Sequence, residues 1–525
     1  MNNFDVRSQM LRLAKDTRGN ALILMAAGLF PVLAAIGSGV DIARAHMART
    51  KLQQAVDAAA LAGRRAMTGD DIATAQPEVD AYLAFNFPEG LYGSTKVIAT
   101  TTKPDMGEVR VQARTSVPTT VMAIFGYKKI DISVSGVAVQ TFKNVDIMLV
   151  LDTTGSMQDS INGVRKIEAL KSAVRALYQQ LQPAQEALKK KGLRMRFGIV
   201  PYAATVNVGK LLYAKNPNYI RTTNVPYYHW KATRSWFSTS WSFGQQRYNL
   251  SSYVAGGTLG NLNGNSDSSG NRWEGCIEER KTDPGILAND TRDAAPNTAL
   301  DLDIDLIPGT SDDTKYPPYI YDPYAGANVG GNGVNSYCPA PATELTEMRA
   351  SDLDTLLSRL VARGSTYHDI GMIWGTRLIS NEGIWGATNP DTFNQIGVQR
   401  YIVYMTDGAM SAPRDLCYYS NCSSSNYDHT AAYSSYGIEA YDRRVGATSD
   451  NDNNQRHTKR FLMACNAAKA KSISVWTIAF GTGRVASLDR CASSADQSST
   501  AANSNDLISR FATIGKSIGS LRIAK

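Results

Sequence analysis

The longest uncharged stretch of the chain is the segment 19–40, which contains no Asp, Glu, Lys or Arg over 22 residues. About 20 apolar residues are enough for a helix to cross a bilayer. The polar segment 1–18 before it carries four basic side chains, which favours a cytoplasmic N-terminus. The pattern predicts a cytoplasmic tail at 1–18, a transmembrane helix at 19–40 and an exported remainder. A cleaved signal peptide, with a small-x-small site at Ala35-Ile36-Gly37, is the alternative.

Small apolar residues continue at helical spacing beyond this segment and predict an amphipathic stem helix over 41–67. Its narrow stripe suits close packing, either against a partner subunit or against the protein's own domain. The stripe consists of Ile42, Ala45, Ala48, Leu52, Ala55, Ala59 and Ala62.

The segment 68–143 instead alternates apolar and polar positions, which is typical of half-buried strands. We expect a small β-rich domain here, with two runs of apolar residues facing each other. These residues are Val109, Val111 and Ala113 in one run, and Ile130, Ile132, Val134 and Val137 in the other.

From residue 144 onwards, unbroken apolar runs alternate with helical patterns. Such runs indicate strands buried on both faces, and their alternation with helices predicts an α/β fold with a doubly wound, mostly parallel sheet of the Rossmann-like kind. We expect this domain to cover 144–525. The strands are predicted near 147–151, 196–202, 401–406 and 473–480, and helices near 161–181 and 459–470.

A large insertion at about 211–350 interrupts this alternation. It holds 4 of the 7 tryptophans and 11 of the 25 tyrosines, together with Gly, Asn and Ser tracts. Rigid aromatic anchors among adaptable polar residues are typical of recognition loops. The insertion is therefore either a binding surface or an elaboration that packs on its own domain. Within it, Asp301, Asp303 and Asp305 mimic calcium-loop spacing, but Leu306 stands where such a loop needs glycine. The alternating segment Leu302–Ile307 is therefore interpreted as an exposed strand.

Oxygen-bearing side chains follow the first predicted strand of the sheet. Asp152 ends the run, and Thr154 and Ser156 alternate after it, so that their side chains can point to one side. In open α/β sheets, ligands bind at the carboxyl ends of the strands. One carboxylate and two hydroxyls suit Mg²⁺, Ca²⁺ or Mn²⁺ better than zinc. The alternative is that the loop only caps the helix that follows.

The segment from Asp152 to Ser156 resembles the DxSxS-type signature of von Willebrand factor A domains, with Thr154 in place of the first serine. The family's other two elements are a threonine on a later loop, matched by Thr366, and an aspartate after the following strand, matched by Asp407 in YMTDGAM. The resemblance implies a metal-ion-dependent adhesion site that holds Mg²⁺ by preference. An exchangeable position on the ion would take a carboxylate from a protein partner. The implied site is formed by Asp152, Thr154, Ser156, Thr366 and Asp407.

The N-terminal segment RGNALILMAAGLFPVLAAIGSGVDIARAHMARTKLQQAVDAAALAG resembles TadG-like proteins of the tight-adherence (Flp) pilus assembly system. Some relatives are trimmed after a glycine that has a glutamate five residues on; Gly19 is so placed, but Leu24 stands at the glutamate position. The resemblance implies a non-enzymatic pilus-associated protein. It would be either a minor-pilin-like component in the pilus or at its tip, or a membrane-held assembly factor. It would be a single-pass protein of the bacterial inner membrane with its bulk in the periplasm. A regulatory A domain serving an ATPase or chelatase in the cytoplasm is the alternative.

Composition and motifs bear on the function class and on the cellular compartment. The formal charge of +8 is modest for 525 residues, and no basic face with interleaved aromatics suggests nucleic acid. The sequence has neither a GxxxxGK[ST] phosphate loop nor a GxSxG nucleophile turn, so an enzyme is the poorer hypothesis. All six cysteines follow the predicted span, which favours an oxidising compartment. Of the 15 possible pairings, we expect the local ones, namely Cys276–Cys338, Cys417–Cys422 and Cys465–Cys491.

Overall fold

A computed structural model of the protein describes residues 20–66, 72–104, 108–139, 143–234, 239–259, 272–320, 337–414 and 433–520. The described residues divide into two compact units, with the boundary between residues 142 and 143. The tail 1–18, the predicted Cys417–Cys422 pair and the final residues 521–525 lie outside the described ranges.

The first unit combines one long helix with a three-stranded antiparallel sheet. Helix α1 contains both the predicted span and the predicted stem, and the sheet order is β1-β2-β3. By length and composition, α1 is the one helix of the described residues that is able to cross a membrane. The elements are α1 Asn20–Ala66, α2 Ala75–Asn86, β1 Ile98–Thr102, β2 Glu108–Pro118 and β3 Lys129–Val139.

From Ala45 to Ala62 the alanine-rich stripe of α1 packs against its own domain, whereas Ile42, its first predicted member, is 55% exposed. Ala48, Leu52 and Ala59 are fully buried in one core with the inward side chains of β2 and β3. Small side chains permit this close approach, and at Gly63 even a methyl group would lie 2.6 Å from the Val79 side chain of α2. Of the two expectations for this stripe, packing on its own domain is the one observed.

The residues of β3 that face the core differ from the predicted ones at a single position. Val109 and Val111 of β2 are buried as expected, but Val137 of β3 is 49% exposed. Gly136 takes the inward position instead and lies opposite Val111. A side chain there would meet Asp57 of α1, since a Cβ atom would lie 2.7 Å from its carboxylate oxygen. The apolar pattern misleads here because the inward residue is a glycine.

The second unit is an α/β domain built on a mostly parallel sheet in the order β8-β5-β4-β9-β10-β11. Only β8, at one edge of this series, runs antiparallel to its neighbour. The predicted fold class is confirmed. In chain order the elements are β4 Asn144–Asp152, α3 Lys166–Lys190, β5 Met195–Tyr202, α4 Gly209–Lys215, β6 Val225–Arg234, β7 Thr239–Tyr248, β8 Thr343–Thr346, α5 Ala350–Ser358, α6 His368–Ile379, β9 Ile396–Thr406, α7 Asp450–Ala470, β10 Ser474–Phe480, α8 Ala486–Cys491, β11 Ser498–Ala501 and α9 Ser504–Ser520.

Both faces of the sheet are covered, as the unbroken apolar runs predict. Met148 and Val150 of β4 join the core that contains α6 and α7. Ile147 and Leu149 are equally buried, and they point to the opposite face because side chains alternate along a strand. Helices α3 and α9 pack against each other. Helix α3 begins at Lys166 rather than near residue 161, because residues 160–165 form a short hairpin.

The described part of the insertion packs on the domain that it interrupts. Ile277, Ile286 and Tyr316 are fully buried in the same core as α6 and α7. The predicted disulfides Cys276–Cys338 and Cys465–Cys491 are present. The exposed strand expected at Leu302–Ile307 is wrong, since no strand forms there and Leu302 and Ile304 are buried. The preceding Asp301 is fully buried and ion-paired with Arg460 of α7.

Candidate functional site

The candidate metal site lies where two neighbouring parallel strands end. Strand β4 ends at Asp152 and β9 ends at Thr406, and their register pairs Leu151 with Met405. The loops after the two strands therefore emerge side by side. This arrangement brings Asp407 to Asp152 although 255 positions separate them in the sequence.

Asp152 is fully buried, and its two shortest hydrogen bonds come from Thr154 and Thr406. The Thr154 amide donates to its Oδ1 at 2.8 Å, and the Thr406 hydroxyl donates to its Oδ2 at 2.7 Å. Burial raises the pKa of Asp152 to about 6, and the nearby Asp407 carboxylate adds to this shift, while the hydrogen bonds from Thr154 and Thr406 oppose it. A carboxylate in this environment is stabilised by any cation that comes within reach.

The two loop hydroxyls connect Asp152 with Asp407. Thr154 Oγ1 and Ser156 Oγ are 3.1 Å apart, and Ser156 Oγ donates to Asp407 Oδ1 at 2.7 Å. Four of the five predicted ligands are thus linked by hydrogen bonds into one cluster. Their type, carboxylate and hydroxyl, is the type that Mg²⁺ and Mn²⁺ prefer.

The fifth predicted ligand, Thr366, is brought to this edge of the sheet by main-chain bonds. Its amide and carbonyl pair with those of Ser411 at 2.9 Å, four residues after Asp407. The same loop contacts the Asp152 loop, because Gly155 N donates to Gly364 O at 2.8 Å. Three loops that are far apart in sequence therefore meet at one place.

Lys166 is a member of the site that the sequence did not predict. Its Nζ lies 2.9 Å from Asp407 Oδ2, and both side chains are buried. The site thus holds one ammonium group for two carboxylates. Within the described ranges, no three His, Cys, Asp or Glu side chains gather into a metal-binding group. A divalent ion would therefore rely on two carboxylates and on hydroxyls, and the donor set present fits such an ion.

A second layer of buried polar groups supports Asp152 from beneath. His368 Nε2 lies 3.1 Å from Thr406 Oγ1, whose own proton goes to Asp152, so the imidazole donates to the hydroxyl. Burial lowers the pKa of His368 to about 4, which keeps the ring neutral. Tyr404 donates to the Tyr202 hydroxyl at 2.7 Å beside them. The sequence offered one signal for this layer, the threonine directly before Asp407.

The N-terminal segment matches a known family. Residues 19–74 match the model described as putative Flp pilus-assembly TadE/G-like. The N-terminal segment is thus TadE/G-like. This confirms the resemblance seen in the sequence, and the match covers all of α1 and the start of the segment that follows. Among curated proteins, none matches the chain.

Several solved structures of pilus proteins are similar to the chain that bears this TadE/G-like segment. The pilus adhesin SpaC from Lactobacillus rhamnosus GG has 12% identity and a TM-score of 0.33 over 81% of the chain, which spans only 34% of SpaC. The vWF domain of the type V pili tip protein Mfa5 from Porphyromonas gingivalis has 10% identity and a TM-score of 0.31, with 74% of this chain and 98% of that domain covered. The PilB minor pilin from Streptococcus sanguinis has 10% identity and a TM-score of 0.32, with 82% and 79% covered.

Proposed function

We propose that this protein is a non-enzymatic component of a Flp (Tad) pilus system that binds a protein partner through a divalent metal ion. The observation that carries the proposal is the cluster of Asp152, Thr154, Ser156 and Asp407 at the carboxyl edge of the sheet. The TadE/G-like segment at the N-terminus supports the pilus context. The domain would serve as a minor-pilin-like or tip component, or as a membrane-held assembly factor.

The ion would be held by Asp152, Thr154, Ser156 and Asp407, with Thr366 on the third loop as the remaining donor. Mg²⁺ is our first choice, with Mn²⁺ and Ca²⁺ as alternatives. When bound, such an ion neutralises the carboxylates and offers an exchangeable position to a carboxylate oxygen of a partner. The chain's own residues fix the donors: Thr406 orients Asp152, and the loop bond from Gly155 to Gly364 holds two of the loops together.

We place the bulk of the protein in the periplasm, anchored by α1 in the inner membrane. Two disulfides in the second unit support an oxidising compartment. Apolar side chains of α1 such as Leu33 and Ile36 are more than half exposed, which suits a lipid environment. Both observations oppose the cytoplasmic regulatory A domain. External protease applied to spheroplasts tests this assignment, because a second unit that resists digestion would contradict export.

Metal titration tests the site itself. We expect Mn²⁺ to bind the full-length protein in detergent by isothermal titration calorimetry, and the Asp152→Asn variant to lose this binding. Asp159→Asn is the matched control, since Asp159 is an exposed carboxylate seven residues further along the same loop. Equal affinity in Asp152→Asn and wild type would refute the metal site. Partner binding is tested by co-purification from the cell envelope. We expect EDTA to release the proteins that co-purify with the wild type, and no such proteins to co-purify with Asp152→Asn.

A further inference from the structure

The turn between β2 and β3 ends in an exposed apolar surface. We call residues 120–129 the hairpin tip. Within it, Ile124, Phe125 and Tyr127 are 73%, 44% and 65% exposed, and Lys128 and Lys129 follow directly. Neighbouring exposed apolar side chains of this size usually mark a surface that something else covers.

The hairpin tip is fixed to α1 by Asp41. The Asp41 carboxylate accepts hydrogen bonds from three consecutive amides, those of Thr120 at 3.0 Å, Val121 at 2.8 Å and Met122 at 2.9 Å. Arg44, one helical turn further on, donates to the carbonyl of Pro118 at the end of β2. Asp41 and Arg44 of α1 thus fix the position of the hairpin tip along the helix.

Beyond Asp41, the hairpin tip runs alongside the predicted membrane span. The absence of a side chain at Gly37 allows this close approach, because a Cβ atom there would lie 2.5 Å from the Val121 side chain. Further along, the rings of Phe30 and Phe125 are 5.9 Å apart. Phe30 precedes Asp41 by 11 residues, which is about 16 Å of helix at 1.5 Å per residue. The hairpin tip therefore lies beside the segment of α1 from Phe30 to Gly37, in which apolar side chains are exposed.

Six backbone amides of the hairpin tip are paired within the protein. Polar backbone groups in the hydrocarbon region must be paired within the protein. Besides the three amides bound by Asp41, the amides of Ile124, Gly126 and Tyr127 donate to carbonyls within the turn, each at 3.1 Å. Burying the tip in lipid would leave these donors satisfied.

From this geometry we propose that the hairpin tip inserts into the periplasmic leaflet of the membrane, beside α1, as a second lipid contact. Ile124 and Phe125 enter the acyl region, and Tyr127 with Lys128 and Lys129 lies at the headgroups, where aromatic and snorkelling basic side chains are favoured. The proposal rests on the membrane anchor of the proposed function. We choose lipid over a second copy of the chain because the tip is continuous with the exposed face of the span.

Site-specific photocrosslinking tests this proposal on the full-length chain. The probe is p-benzoylphenylalanine, placed singly at Ile124 in the tip, Leu33 in the span, or Val139. The protein is reconstituted in vesicles of phosphatidylethanolamine and phosphatidylglycerol. Val139 is the matched control, because it is 57% exposed and ends β3 at the opposite end of the same hairpin. All three side chains are exposed, so the replacements leave the core intact.

We expect lipid adducts from the probes at 33 and 124, and at least tenfold fewer from the probe at 139. Adducts from 33 without adducts from 124 would overturn tip insertion and leave the membrane anchor standing. If neither 33 nor 124 labels lipid, the anchor of the proposed function fails and the tip contact with it. Crosslinks from 124 to a second protein chain, in place of lipid, would overturn the proposal in favour of a subunit contact. Equal lipid labelling at 139 and 124 would do so as well.

Discussion

The ammonium group of Lys166 lies 2.9 Å from the carboxylate of Asp407, on the atom opposite the one that accepts from Ser156. Lys166 is the first residue of α3, so the helix that follows the Asp152 loop delivers a cation into the candidate metal site. Two carboxylates then share one tethered positive charge. A divalent ion that enters the site must compete with Lys166 for Asp407.

Removing this tethered cation should strengthen metal binding. We expect Lys166→Met to raise Mn²⁺ affinity on the order of tenfold, because it removes repulsion between the ammonium group and the ion and frees an Asp407 oxygen. Calorimetric titration of the full-length protein measures the change. Lys171→Met is the control, since Lys171 lies on the same helix and pairs with Glu168 outside the site. Unchanged or weaker binding in Lys166→Met would show that the lysine does not compete.

The start of α3 could have been predicted from the local sequence. The predicted start near residue 161 placed Lys166 within the helix, one and a half turns from the loop. The dipeptide Asn162-Gly163 is a strong hairpin signal, and both residues have positive φ, 52° and 80°. Its turn moves the helix start to Lys166 and points that residue at the site. Local sequence therefore contained the information on this element.

The support beneath Asp152 could not have been predicted in the same way. His368, Thr406 and Tyr202 belong to α6, β9 and β5, and they meet only because the sheet places these elements together. A single buried histidine or tyrosine has no spacing rule that identifies its partner. By contrast, the apolar run 147–151 predicts a strand buried on both faces, because no polar residue interrupts it. Contacts between elements could be predicted where a recognised motif or a nearby cysteine pair indicated them, as for Asp407 and Cys465–Cys491, but not for single buried polar residues.

The bonds from Asp41 should determine whether the hairpin tip stays on α1. We expect Asp41→Ala to destabilise the first unit on the order of 3 kcal/mol, because three amides lose a charged acceptor at once. Hydrogen exchange at residues 120–122 should accelerate strongly, as measured by mass spectrometry in detergent. Asp131→Ala is the control on the same hairpin, where an exposed pair with Lys129 contributes little. Equal exchange in both variants would contradict this role of Asp41.

The ion pair of Asp301 and Arg460 joins the insertion to α7, and both side chains are fully buried. We expect Arg460→Met to destabilise the second unit by about 3–5 kcal/mol, because it leaves a carboxylate buried without its cation. Adding Asp301→Asn should recover much of this loss, since the uncompensated charge is then gone. Urea unfolding of the single and double variants measures the coupling. Strictly additive losses would mean that the two side chains act independently.

A buried glutamate of the insertion should make stability depend on pH. Burial raises the pKa of Glu278 to about 7, and the cation of Arg444, 3.0 Å away, reduces this shift only in part. In the unfolded chain the same carboxyl has an ordinary pKa near 4.5. The folded state therefore binds the proton more tightly. The resulting contribution to the free energy of unfolding is complete below pH 4.5 and is lost as pH rises through 7.

The Glu278→Gln variant isolates this effect. An amide keeps an acceptor for the hydroxyl of Tyr433, which donates to Glu278 at 2.7 Å, but it does not titrate. We expect the stability of the wild type relative to the variant to fall by up to about 3 kcal/mol between pH 5 and pH 8, following the pKa difference between folded and unfolded chain. Urea unfolding at several pH values measures it. Asp354→Asn is the control, because Asp354 lies at the surface and pairs with the exposed Arg175. Parallel pH profiles for wild type and Glu278→Gln would mean that Arg444 keeps the buried carboxylate ionised throughout this range.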